Sequence, residues 1–155
     1  MEKQLEFVLA EIDRDATKKS VEAALEKYRM FLLTQSLDKL PKVTQQYSLD
    51  VPISNTNKYH SSTEETAIRN VDYERERSEY IKRVAMAVNR LSYWERAILI
   101  RRYMTEEDVF DYEIYNELGM SERKYYRLKS RAFYKLAFAL RIEVYKKEES
   151  EAVSL

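Results

Sequence analysis

Three groups of side chains in this sequence carry functional chemistry. The sole histidine, His60, stands in the polar stretch from Ser54 to Ser62, and the chain has no cysteine. With no second nitrogen or sulfur ligand, it reads as a loop residue rather than a zinc ligand or proton relay. The acidic run Glu106-Glu107-Asp108, with Asp111 close behind, has oxygens for a hard cation. It lacks the glycine-bearing loop that folds such oxygens around calcium, so it reads as a polar loop leading into a helix. The third group is cationic. Residues 119–147 hold nine bases against two acids, a local charge of +7 in a chain whose net charge is zero.

These observations exclude more chemistry than they allow. Absence of cysteine removes disulfides, thiolate metal sites and thiol nucleophiles. A single glycine, Gly119, rules out the glycine-rich loops that cradle nucleotide phosphates. No enzyme, metal or cofactor is therefore expected. The asymmetric charge points to a polyanion bound at the C-terminal end, although a solvated helix face would also be rich in charge.

The arrangement of the cationic run separates these readings. At 100° per residue, Leu128, Ala132, Leu136 and Ala139 fall within roughly 60° of Tyr125 and form an expected core face. Opposite them, within roughly 40° of the antipode, come Arg123, Arg127, Ser130, Tyr134 and Arg141, with Lys124, Tyr126 and Arg131 on the flanks. A face made only for solubility would mix in glutamate, and between Glu122 and Glu143 this stretch has no acid. Arginine can bond guanine bidentately, and the major groove admits a helix. The face is suited to double-stranded DNA. Lys129 and Lys135 are expected to hold phosphates without reading sequence.

The elements that must position this face are helical. Scarce glycine and proline, with abundant Glu, Lys, Leu and Ala, give an all-α expectation. Leu5 to Ile12 is a short apolar-periodic stretch. A helix from about Asp15 follows, with Val21, Ala24, Leu25, Tyr28 and Leu32 on one side. Residues 35–62 contain both prolines and read as a linker, or as extended chain lying on a neighbour. Thr63 before Glu64-Glu65 starts the next helix, with Ile68, Val71, Ile81, Val84, Val88 and Leu91 as its apolar stripe; its charged middle, Glu74 to Glu79, is exposed or kinked. Ser92 and Glu95 form a capping box for a third helix. Trp94, Ile98 and Tyr103 there are expected in the core, with an edge aromatic as an alternative polymerase contact. Asp111 opens a short helix, Gly119 stops it in the left-handed region, and Ser121 caps the next helix. Two helices joined by so short a turn make a helix-turn-helix.

The run "LSYWERAILIRRYM…DYEIYNELGMSERKYYRLKSRAFYKLAFAL" resembles the ArpU family of phage and prophage transcriptional regulators from Gram-positive bacteria, which are similar to region four of bacterial sigma factors. "EIDRDATKKSVEAALEKYR" and "TQQYSLDVP" also resemble that family, so the likeness covers most of the chain. The resemblance implies a sequence-specific regulator activating late genes for packaging, morphogenesis or lysis, with host RNA polymerase and a second copy of the chain as candidate partners. It places Glu122, Arg123, Tyr126 and Arg127 toward DNA. Glu122 stands where sigma factors commonly carry a base, so a sigma-type promoter sequence does not follow.

The resulting layout is an N-terminal helical region and linker (1–62), a DNA-binding domain (63–147) and an acidic flexible tail (148–155). The expected DNA-facing set is Glu122, Arg123, Lys124, Tyr126, Arg127, Ser130, Arg131 and Tyr134, with Gly119 and Ser121 making the turn. No signal peptide or transmembrane stretch is read, which implies a cytoplasmic protein of the bacterial host. Two other functions fit the same pattern: a small terminase or packaging adaptor, and a protein-only adaptor or antirepressor whose basic helix docks on an acidic partner.

Overall fold

The computed structural model describes residues 11–52 and 64–147, with side chains of the second long helix described from residue 70. Helix α1, Arg14–Thr34, starts where the Asp13 carboxylate accepts the Ala16 N–H at 3.1 Å, satisfying one of the free amides of the first turn. Its apolar residues recur at helical spacing, so Val21, Leu25, Tyr28 and Leu32 share a buried side. A short 3-10 turn, Leu37–Lys39, leads to β1, Lys42–Val43, and β2, Leu49–Asp50, which pair antiparallel. Then come α2, Glu64–Asn89; α3, Tyr93–Tyr103; α4, Asp111–Glu117; and α5, Glu122–Leu140. The all-α expectation holds, with this small hairpin added. Among the described residues no helix is long and apolar enough to cross a membrane.

The hairpin corrects part of the linker reading. Two-residue strands have little pairing of their own, and side chains from the helices supply the rest. Asn89 accepts the Leu49 N–H at 2.8 Å and donates to the Leu49 carbonyl at 2.9 Å, acting as an extra strand residue. Arg96 donates to the Tyr47, Gln46 and Leu91 carbonyls. Residues 42–50 are thus fixed on the helical body, as the reading of extended chain on a neighbour required. Residues 53–63, including His60 and Thr63, lie outside the described residues, as do Leu5 and the tail from 148.

A single apolar core joins α1 through Val21, Leu25 and Tyr28, α2 through Ile81, Val84 and Val88, α3 through Leu99 and Ile100, and α5 through Phe133, Leu136 and Leu140. The expected division between residues 62 and 63 does not divide this core: α1 packs directly on α5 and α2. The chain after α5 closes the arrangement. Arg141 enters the left-handed region at φ 57°, and Asp13 N–H donates to the Val144 carbonyl while Lys146 N–H donates to the Glu11 carbonyl, each at 2.8 Å. The buried Thr17 hydroxyl donates to the Val144 carbonyl and accepts its N–H.

Two apolar assignments before α5 fail. Val71 is exposed, and the charged turn from Glu74 to Glu76 is exposed on a helix that runs uninterrupted from Glu64 to Asn89. Trp94 is 41% exposed, edge-on to Tyr93, which meets Tyr47 in turn. It sits in the first turn of α3, while Ile98 is buried and Tyr103 partly so.

Gly119 has φ +68° at the corner between α4 and α5. Its N–H donates to the Asn116 carbonyl and the Met120 N–H to the Tyr115 carbonyl, the two bonds of a Schellman ending. Ser121 then caps α5 by accepting the Lys124 N–H at 3.2 Å. A Cβ at residue 119 would meet nothing within 4 Å, so only the backbone conformation demands glycine. Gly119→Val is expected to destabilise by about 1–2 kcal/mol, and Gly119→Asn by less, because asparagine tolerates the left-handed region. Thermal melts following helicity read the difference; equal midpoints for wild type and Gly119→Val would show that the corner stores no such preference.

Candidate nucleic-acid interface

Helix α5 buries Tyr125, Ala132, Phe133, Leu136, Ala137 and Leu140. Tyr125, Ala132 and Leu136 match the expected core face, and Leu128 is partly buried in a smaller cluster with Ile98, Ile114 and Met120. Ala139 is exposed, and Phe133, Ala137 and Leu140 replace it. The buried sector is displaced because α5 packs against α1 and α2 as well as α3.

The remaining surface presents Glu122, Arg123, Lys124, Tyr126, Arg127, Ser130 and Arg131 to solvent, with Tyr134 partly covered. Arg123, Arg127 and Arg131 repeat every four residues, a row about 12 Å long at 1.5 Å rise per residue. Neither these arginines nor Lys124 joins an ion pair among the described residues. Tyr126, Ser130 and Tyr134 instead border a groove of about 270 Å³ whose other wall is the first turns of α1, with Arg14 and Lys18. No sequence signal linked α1 to this face, because the contact is tertiary.

The two lysines expected to hold phosphates have other roles. Lys129 Nζ lies 3.1 Å from Asp111 Oδ1, its side chain 13% exposed, near the rings of Tyr103 and Phe133. Lys135 Nζ lies 2.8 Å from Glu95 Oε1, and the Glu95 side chain is only 2% exposed. Both lysines tie α5 to its neighbours rather than standing free for DNA. The Ser92–Glu95 capping box changes accordingly: Ser92 makes no side-chain capping bond, and Glu95 turns inward to Lys135. Burial pushes the Glu95 carboxyl up, but the Lys135 hydrogen bond, the nearby Ser92 hydroxyl and backbone N–H, and the Lys135 charge together outweigh it and hold the group below the usual carboxylate range.

The acidic run does not converge on one point. Asp108 pairs with Arg29 of α1 at 2.8 Å, whereas Asp111 accepts from Tyr125 Oη at 2.6 Å and from Lys129 and Arg102. These bonds fix α4 against α5 and α3. Among the described residues no three His, Cys, Asp or Glu side chains gather as a metal site.

Comparison with known proteins finds two phage-related sequences over nearly the full chain. An uncharacterized phage-related protein of Listeria innocua serovar 6a is 34% identical over 140 residues, covering 90% of this chain and 97% of that protein. Protein Gp66 of Listeria phage A118 is 30% identical over 128 residues, covering 83% of this chain and 87% of its own length. No family model matches the chain. No solved structure matches it.

Proposed function

Because the chain belongs to the family of phage-related proteins that includes this Listeria innocua protein and Gp66 of phage A118, we propose that it is a sequence-specific DNA-binding transcriptional regulator, an activator of phage or prophage late genes. In this reading α4 and α5 act as a helix-turn-helix of the ArpU and sigma region-four kind, and α5 enters the major groove in the host cytoplasm. The protein performs no catalysis of its own.

The observation that carries the reading is the contrast between cations on one helix. Lys129 and Lys135 are bound to carboxylates, whereas Arg123, Lys124, Arg127 and Arg131 stand together on the exposed side without a partner among the described residues. Arg127 and Arg123 are assigned to base edges, Lys124 and Arg131 to phosphates. One such helix makes few base contacts, so a second copy of the chain or host RNA polymerase supplies the remaining affinity.

The test is enrichment of bound fragments from phage and host DNA with the purified protein, followed by binding of variants to the enriched site and to a scrambled duplex. Arg127→Ala is expected to lose about 1–3 kcal/mol at the enriched site and to relax one position of its sequence. Lys124→Ala should weaken both duplexes alike. Equal losses on both duplexes for Arg127→Ala would remove it from base readout, and absence of any enriched fragment would favour a protein-docking role for α5.

A further inference from the structure

We propose that the groove between the first turns of α1 and the side of α5 seats a backbone phosphate of the bound duplex, making α1 part of the DNA interface. This rests on the assignment of α5 as the helix that enters DNA.

The groove is lined by Arg14 and Lys18 from α1 and by Tyr126, Ser130 and Tyr134 from α5. Arg14 and Lys18 are exposed and join no ion pair among the described residues. Asp15 is the acid on the rim, Glu11 near Arg14 is paired with Lys146, and Lys129 is already held by Asp111. Two cations therefore remain against one carboxylate. The hydroxyls of Tyr126, Ser130 and Tyr134 donate no hydrogen bond among the described residues, so all three are available to an acceptor. Thr17 is not, since Val144 occupies its hydroxyl. Arginine, lysine, serine and tyrosine are the side chains that commonly bond phosphate oxygens in DNA complexes.

Position makes the phosphate one of the duplex rather than a free anion. Tyr126, Ser130 and Tyr134 border both the groove and the row of Arg123 and Arg127, which lies only about 40° farther around the helix. A helix about 10–12 Å across nearly fills a major groove about 12 Å wide, so the two sugar-phosphate strands run along its flanks. On one flank they meet α1. The first turns of α1 are also anchored: Asp13 N–H and Thr17 bond residue 144, and Ser20 Oγ donates to the Ile142 carbonyl at 2.8 Å. The cations are thus presented from a fixed backbone.

The experiment measures affinity against salt for a fluorescein-labelled duplex carrying the enriched site and for a scrambled duplex, with ethylation interference to locate contacted phosphates. Arg14→Ala with Lys18→Ala should make the plot of log affinity against log salt shallower by about 0.9 for each phosphate that is no longer neutralised, equally for both duplexes. One flanking phosphate should also disappear from the interference pattern. Arg14→Lys with Lys18→Arg should keep the slope. Tyr134→Phe, which removes one hydroxyl, should weaken the same phosphate and serves if the double alanine variant melts early. A wild-type slope and pattern in both the double alanine variant and Tyr134→Phe overturns the groove assignment; if Arg127→Ala still loses site preference, the reading of α5 survives that failure. A wild-type protein with no salt-dependent duplex binding overturns both.

Discussion

Removal of residues 1–62 is expected to leave the rest of the chain without a cooperative fold, the opposite of what a linker before residue 63 would imply. Val21 and Leu25 are fully buried, Tyr28 is 1% exposed and Leu32 6% exposed. Burial of a side chain of this size contributes about 1.5–3 kcal/mol, so four of them bring about 6–12 kcal/mol. That compares with a total stability of about 5–15 kcal/mol for a domain. Deletion also uncovers the sides of α2 and α5 that α1 packs against. It removes the Ala24 carbonyl that accepts the Tyr80 hydroxyl at 2.6 Å, and it frees Asp108 and the Arg102 carbonyl from Arg29. Circular dichroism and thermal melting of residues 63–155 give the answer. A sharp melt with native helicity would show that α2 to α5 form a complete core and that α1 only rests on it. Leu25→Ala in the full chain is the milder companion, expected to lose about 2–5 kcal/mol.

The reason this is illegible in the sequence lies in which signals are local. Gly119, Ser121 and the spacing from Tyr125 to Leu136 specify a helix end, a cap and a buried side within a few residues of each other, and the structure shows all three. Prolines and polar residues in 35–62 also give a local signal, for a chain that cannot be helical. They say nothing of whether side chains elsewhere hold it. The partners Asn89 and Arg96 are 40 and about 50 residues away from the carbonyls and amides they bind.

Charge misleads for a similar reason. Lys129, Lys135 and Arg127 are all cations on one helix, and angular position puts Lys135 near the flank rather than in the core. What separates them is a carboxylate from another helix: Asp111 for Lys129, Glu95 for Lys135, none for Arg127 among the described residues. Glu95 itself follows Ser92 at capping spacing, and Trp94 beside it is large and apolar, so sequence puts the carboxylate outside and the indole inside. The reverse occurs because Lys135 receives the buried charge while Tyr93 and Tyr47 give the aromatic cluster a surface position. The groove beside α5 follows the same rule: its α1 wall is more than a hundred residues from its α5 wall, and only the shared core brings them together.

Asp111→Ala should then weaken DNA reading without touching a DNA-facing residue. One carboxylate oxygen of Asp111 accepts from Tyr125 Oη at 2.6 Å, Lys129 Nζ at 3.1 Å and Arg102 Nε at 3.2 Å, joining the start of α4 to α5 and α3. The Tyr125 side chain is fully buried, and Lys129 is 13% exposed. Loss of the carboxylate leaves a phenol unbonded and an ammonium with little water, which is expected to destabilise by about 3–5 kcal/mol. The turn at Gly119 still links the two helices, but their angle is no longer held from the other end, so discrimination between the enriched and scrambled duplexes should fall as well. Titration gives an independent check. Burial alone raises the Asp111 pKa, but the Tyr125 hydrogen bond and the Lys129 and Arg102 charges reverse this and leave it below the ordinary value. A depressed folded pKa means that the contribution is complete above the unfolded pKa of about 3.9 and is lost as pH falls through the lower folded value. Urea unfolding from neutral pH down to about pH 3 should therefore show a smaller acid loss in Asp111→Ala than in wild type, with the remainder carried by groups such as Glu95, whose shift has the same sign. Identical acid limbs in the two proteins, together with unchanged stability at neutral pH, would show that the carboxylate is not what fixes α4 on α5.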